Sequence, residues 1–187
     1  SGDFTWPVPP PHGPGYAFFL AAVLKIFGGS VSAAGLVQAA LGALGCVLAA
    51  KIARKFFGRK AALLAGLLLA VEGAVVLVDV SLFSEGLLLV LLAAALLRVS
   101  PRGPERTRDA LAAGLWIGLA ALVRPTAVFL LPVAALSAFT RNDRWRRTFM
   151  LVGATAIVIL PITLLNLRAT GAPLLVQSLD RLAEGRA

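Results

Sequence analysis

Apolar residues along this chain come in blocks that leave no polar face. Ala61–Val71 reads AALLAGLLLAV and Gly86–Leu97 reads GLLLVLLAAALL. Wound into helices, neither block would turn a side toward water. Similar blocks cover Val31–Ala50, Ala110–Val123, Thr126–Thr140 and Thr148–Leu165, with short stretches rich in Arg, Lys, Pro and Gly between them. The pattern predicts an all-α fold, a polytopic transmembrane helix bundle forming one domain fragment over residues 1–187. Membrane helices are expected over 31–50, 61–78, 82–97 and 148–165, with a short helical hairpin over 110–140.

The two ends of the chain read differently. GDFTWPVPPPHGPG (Gly2–Gly15) is too rich in proline and glycine for regular structure and predicts a loop over 1–15. Tyr16–Phe27 (YAFFLAAVLKIF) is apolar but too short to cross a bilayer, which predicts an interfacial helix over 16–27, with Tyr16 and Lys25 near the headgroups. NLRATGAPLLVQS, which follows the last apolar block, leaves the membrane as a segment over 166–187.

Composition agrees with the blocks. Hydrophobic residues make up 59% of the chain and charged residues 14%, against roughly 25% charged in an average soluble domain. The net charge of +9 would suggest a nucleic-acid partner if it covered a polar surface. Here the cations sit between apolar blocks, so nucleic acid is not an expected partner. They form three groups: Lys51, Arg54, Lys55, Arg59 and Lys60; then Arg98, Arg102, Arg106 and Arg108; then Arg141, Arg144, Arg146 and Arg147. Short basic loops flanking apolar helices belong on the cytoplasmic side.

Fixing those loops inside sets the path. The block 31–50 enters from outside, 61–78 returns outward, a turn at Asp79–Ser81 follows, and 82–97 comes back in. Because the loops on both its sides are basic, 110–140 must go out and return. Its arms, Ala110–Val123 and Thr126–Thr140, meet at Arg124-Pro125. Arms of roughly 15 residues give about 22 Å of helix, short of the ~30 Å hydrocarbon core. Pro125 denies its amide to a continuing helix and turns Arg124 away from helical geometry. His12, Asp79, Glu85, Arg124, Asn166 and Arg168 then all fall on or near the non-cytoplasmic face.

Ionisable groups beside membrane spans are costly to keep and point to function. Glu85, in LFSEGLLL, is followed by three aliphatic turns, so its carboxylate needs a cavity or a partner. The structural alternative is an acid favoured at a helix N-terminus with Ser84 as cap. Glu72 is either a paired acid inside the preceding span or a packing feature beside Gly73. Arg124 either snorkels to the headgroups or binds a phosphate through its planar fork of donors. His12 is a loop histidine or a second phosphate contact, and Asp79 reads first as a solvated turn acid. With one His and one Cys, no zinc site is supported, and Cys46 reads as a small core residue. Cofactors are therefore unassigned; a divalent metal has no ligand cluster in the sequence. No phosphate-binding loop, dinucleotide fingerprint or nucleophile elbow occurs.

Three segments in order carry a resemblance. PHGPGYAFFLAAVLKIFG, SLFSEGLLL and LWIGLAALVRPTAVFLLPVAAL, with IARKFFGRKAALLAGLLLA between the first two, resemble polyprenol-phosphate-sugar-dependent glycosyltransferases of the GT-C fold. The protein O-mannosyltransferases and aminoarabinose transferases are of this kind. The resemblance covers nearly the whole chain. It implies transfer of a sugar from a polyprenyl-phosphate donor to an acceptor glycan, lipid or protein on the non-cytoplasmic face, in a multi-pass protein of a bacterial inner membrane. It matches Glu85 to the family's second acid and Arg124 to the arginine of its RPT element. The principal base of the family lies well before the first motif; only Asp3 precedes it here, so the main base is expected upstream of Ser1 and the fragment is expected to be inactive alone. Candidate substrate and phosphate contacts are His12, Tyr16, Asp79, Arg124 and Arg168. Gly13 and Ala17 stand where the family pattern has prolines. A transporter or flippase segment is the alternative, since broken helices and inward acids also mark substrate pathways. In a third reading, a scaffold, Gly66, Gly114 and Gly118 serve helix packing alone.

Overall fold

The computed structural model describes residues 13–72, 84–99, 107–139 and 143–170. Among the described residues the regular structure is helical throughout, in seven α-helices and one 3-10 segment. They are α1 (Pro14–Ile26), α2 (Val31–Phe57), α3 (Arg59–Val71), α4 (Glu85–Arg98), α5 (Thr107–Val123), the 3-10 segment Pro125–Phe129, α6 (Leu130–Phe139) and α7 (Arg144–Thr170).

Local chemistry explains most boundaries. Pro14 opens α1, where a missing amide costs nothing. Gly28 and Gly29, at φ 61° and 83°, turn the chain, and the Ser30 hydroxyl caps α2 by accepting from the Ala33 amide at 3.2 Å. Gly58, at φ 91°, both ends α2 and starts α3. Only a residue without Cβ takes that conformation cheaply. The helix α2 continues to Phe57, past the expected limit at Ala50, because Lys and Arg propagate a helix well. In the same way α7 starts at Arg144, within the basic group.

Two departures concern single acids. The helix α3 ends at Val71, and Glu72 follows as an exposed, extended residue, so it is not an acid buried inside a span. The helix α4 begins at Glu85 itself. Ser84 precedes it with φ −72° and ψ −12°, and its side chain makes no capping hydrogen bond. Capping needs an extended residue at that position, and Ser84 is already helical.

By length and composition, α2 and the stretch Arg144–Leu165 of α7 are long and apolar enough to cross a membrane. The helices α4 and α5, of 14 and 17 residues, reach only about 21 and 26 Å. Many large apolar side chains stay exposed, among them Leu36, Leu63, Leu68, Phe149 and Ile157. Water would not tolerate so many on one small bundle, whereas lipid does.

Packing fixes the direction of each helix. Gly45 of α2 lies against Leu89 of α4, and the Lys55 ammonium donates to the Leu97 carbonyl at 2.7 Å, so α2 and α4 run the same way. Gly66 of α3 faces Ala50 and Cys46, which makes α3 antiparallel to α2. Leu91 shares a buried cluster with Ala120 and Ala121, and Ala95 one with Ala113 and Ile117; α5 is therefore antiparallel to α4. Gly114 abuts Leu151 and Ala154, and Gly118 abuts Thr155 and Val158, so α5 and α7 are parallel. A Cβ on Gly118 would come within 2.8 Å of the Val158 Cβ; the Gly114-x-x-x-Gly118 spacing lets the two helices touch. Thr155 joins them by donating to the carbonyls of Gly114 and Leu151 at 3.0 and 2.9 Å.

These directions gather the charges. Lys51, Arg54, Lys55, Arg59, Lys60, Arg98, Arg108, Arg144, Arg146 and Arg147 all come to one end of the bundle. Glu85 and Arg124 come to the other, roughly 20 Å away along α4.

Candidate active site at the acid–arginine end

Two chain segments supply the centre of the site. The helix α5 ends at Val123, and Arg124 leaves it extended, at φ −142° and ψ 113°, while its amide still donates to the Ala120 carbonyl at 2.8 Å. Pro125 then starts the 3-10 segment, and the Ala127 amide donates back to the Arg124 carbonyl at 2.9 Å. This bend sends the chain back down α5: Ala127 packs with Val123 and Leu91, and Ala134 packs with Ala113 and Ile117. The arginine thus projects from a turn fixed on both sides by backbone hydrogen bonds and by a proline.

Its guanidinium meets Glu85. Arg124 Nη2 donates to Glu85 Oε1 at 2.8 Å, across 39 positions of sequence. Each charge also complements its own helix, with the acid at the N-terminus of α4 and the cation at the C-terminus of α5. The side chains remain 39% and 41% exposed, so the pair is open to a ligand and contributes little to stability, about 0–1 kcal/mol. The second carboxylate oxygen differs: Oε2 is shielded and has no hydrogen-bond partner among the described residues. A carboxylate oxygen in that position is an acceptor waiting for a donor.

Tyr16 forms the adjoining wall. It packs against the buried cluster formed by Leu91, Ala120, Ala121, Val123 and Ala127, and burial, with Glu85's negative charge as a second cause, pushes its phenol above the usual tyrosine range. What holds it there is a backbone-to-backbone approach. An added Cβ on Gly15 would fall 2.7 Å from the Leu122 carbonyl carbon and 2.8 Å from the Val123 nitrogen, and one on Gly13 would strike the Leu122 carbonyl oxygen. These two glycines around Pro14 let the start of α1 rest on the last turn of α5. From there α1 reaches the start of α2, crossing the acid–arginine end of the bundle.

The other expected residues divide. Arg168 is exposed in the last turn of α7. The register of α5 on α7 puts Arg124 level with about residue 163, so Arg168 stands beyond the pair at the same end. Asp3, His12 and Asp79 lie outside the described residues, as do Gly73 and the side chain of Asn166. Among the described residues no three of His, Cys, Asp and Glu come together as a metal site. Sequence reasoning missed the docking role of Gly13 and Gly15, although two glycines one residue apart beside a proline are a sign of close backbone approach. It also missed Gln38, a polar residue that is 1% exposed, and read Ser84, which is 8% exposed, only as a cap. The parallel register of α2 on α4 puts Gln38 near the same level as Ser84.

Comparison with known proteins adds a family. The family model described as dolichyl-phosphate-mannose-protein mannosyltransferase matches residues 11–167. No curated protein and no solved structure matches the chain.

Proposed function

The chain belongs to that mannosyltransferase family, whose members are membrane glycosyltransferases using polyprenol-phosphate-sugar donors, and from this premise we propose a reaction for the acid–arginine end. A sugar is transferred there from a polyprenyl-phosphate donor to a hydroxyl or amine of a glycan, lipid or protein. The end lies on the non-cytoplasmic side, opposite the basic loops.

One observation carries the assignment: Glu85 and Arg124, far apart in sequence, meet half-exposed at the end of the bundle opposite the basic groups of residues 51–60, 98–108 and 144–147. Each has a chemical task. The Arg124 fork binds the donor phosphate and stabilises the charge that grows on it as the sugar departs. Glu85, as second acid, accepts a hydrogen bond from the acceptor group. Tyr16 lines the approach, and Arg168 adds positive charge at the same rim. Asp3 is a candidate base, and His12 and Asp79 are candidate substrate contacts. The transporter alternative gains no support from the family or from the placement of the pair.

The test is product formation. The protein in membranes is given labelled polyprenyl-phosphate sugars, and glycosylated acceptor and free lipid phosphate are measured. Arg124→Ala should lower turnover about a hundredfold, as expected for loss of a charged contact in the transition state. Sugar appearing across a vesicle membrane with its phosphate bond uncut would overturn the proposal.

A further inference from the structure

The ion pair has a consequence for how the donor enters, which rests on the reading of Arg124 as the phosphate-binding residue. A guanidinium prefers to engage an oxyanion through two parallel N–H bonds. Here a single close contact joins it to Glu85, Nη2 to Oε1 at 2.8 Å, with both side chains about 40% exposed. Such a pair is easily broken. A lipid phosphate presents more oxygens and at least as much charge as the carboxylate. If it arrived with Glu85 still in contact, two anionic groups would crowd one guanidinium within a few ångströms. Among the described residues at this end, Arg168 is the other arginine, and it lies beyond the pair.

We propose that Glu85 is a stand-in for the donor phosphate: it holds Arg124 in position until the phosphate displaces it. Exchange does two things in one step. Arg124, already oriented by the Pro125 turn, passes to the phosphate without a search for its rotamer. The carboxylate is released with Oε1 free to accept from the acceptor group, and only after the donor has seated. The site therefore favours donor before acceptor.

Binding of farnesyl phosphate, a short lipid phosphate, to the protein in nanodiscs tests the exchange, with farnesol as the uncharged control. Glu85→Gln keeps the shape and removes the competing charge, so it should tighten farnesyl phosphate binding about two- to fivefold, the factor expected for release of a half-exposed pair. Farnesol binding should not change. Arg124→Ala should weaken farnesyl phosphate binding at least tenfold. In the double variant the gain from Glu85→Gln should vanish, because the acid acts through the arginine. If Arg124→Ala weakens binding while Glu85→Gln leaves it unchanged or weaker, phosphate binding at Arg124 stands and the exchange is wrong. If Arg124→Ala has no effect on farnesyl phosphate, the phosphate reading and the exchange fall together. Circular dichroism of each variant separates a lost contact from a lost fold.

Discussion

Gly15→Ala tests whether the docking of α1 shapes the site. The added methyl would sit 2.7 Å from the Leu122 carbonyl carbon and 2.8 Å from the Leu122 oxygen and the Val123 nitrogen, where ordinary contact begins at 3.4 Å. All three obstacles are backbone of the last turn of α5, which cannot rotate away as a side chain can. The start of α1 must therefore withdraw by about 0.7 Å or tilt, at a cost of about 1–3 kcal/mol for overpacking. The better helix propensity of alanine returns at most about 1 kcal/mol. A net loss of roughly 1–2 kcal/mol makes the docked state about tenfold less favoured. Gly35→Ala is the control, since nothing lies within 4 Å of a Cβ there. The assay has two readouts: absorbance titration of the phenolate of Tyr16, the chain's single tyrosine, and the rate of sugar transfer. In the Gly15→Ala protein Tyr16 should titrate closer to an ordinary phenol, and transfer should fall several-fold, while Gly35→Ala changes neither. A Gly15→Ala protein matching wild type in both would refute the claim that this contact positions Tyr16.

Other outcomes follow from single contacts. Glu85→Gln should lower the Tyr16 titration midpoint without restoring it fully, because burial is the larger cause and stays. The raised phenol also means that Tyr16's contribution to stability is complete below the unfolded pKa and is lost as pH rises through the folded one; denaturation monitored across alkaline pH should follow that order. Gly118→Leu should destabilise the α5–α7 contact by about 2 kcal/mol or more, seen as a lower Tm in detergent, whereas Gly153→Ala, in open space, should leave Tm unchanged or raise it. Arg124→Lys keeps the charge but loses the fork; transfer should fall about tenfold with little change in Tm.

The sequence made some of this legible because its signals were local. Apolar blocks announced helices, Pro125 announced a break, and the basic groups announced which ends belong together. Glu85 and Arg124 each stood out as a charge in an aliphatic run. Their direct contact was not readable, because it depends on the antiparallel register of α4 on α5, which is set by alanine packing at Ala95, Ala113 and Ala120. Small apolar residues carry no pattern that names a partner. Gly15 was similarly opaque: the reason for a glycine there is the backbone of Leu122, more than a hundred positions away. The helices α2 and α7 run past the expected membrane blocks, to Phe57 and from Arg144, because cationic residues extend a helix beyond its apolar stretch.

The order of the two charges along the chain has a bearing on biogenesis. Synthesis delivers the carboxylate of residue 85 well before the guanidinium of residue 124 leaves the ribosome. During that interval the nascent carboxylate lacks the guanidinium it later meets, so the pair can close only after the fifth helix has packed against the fourth.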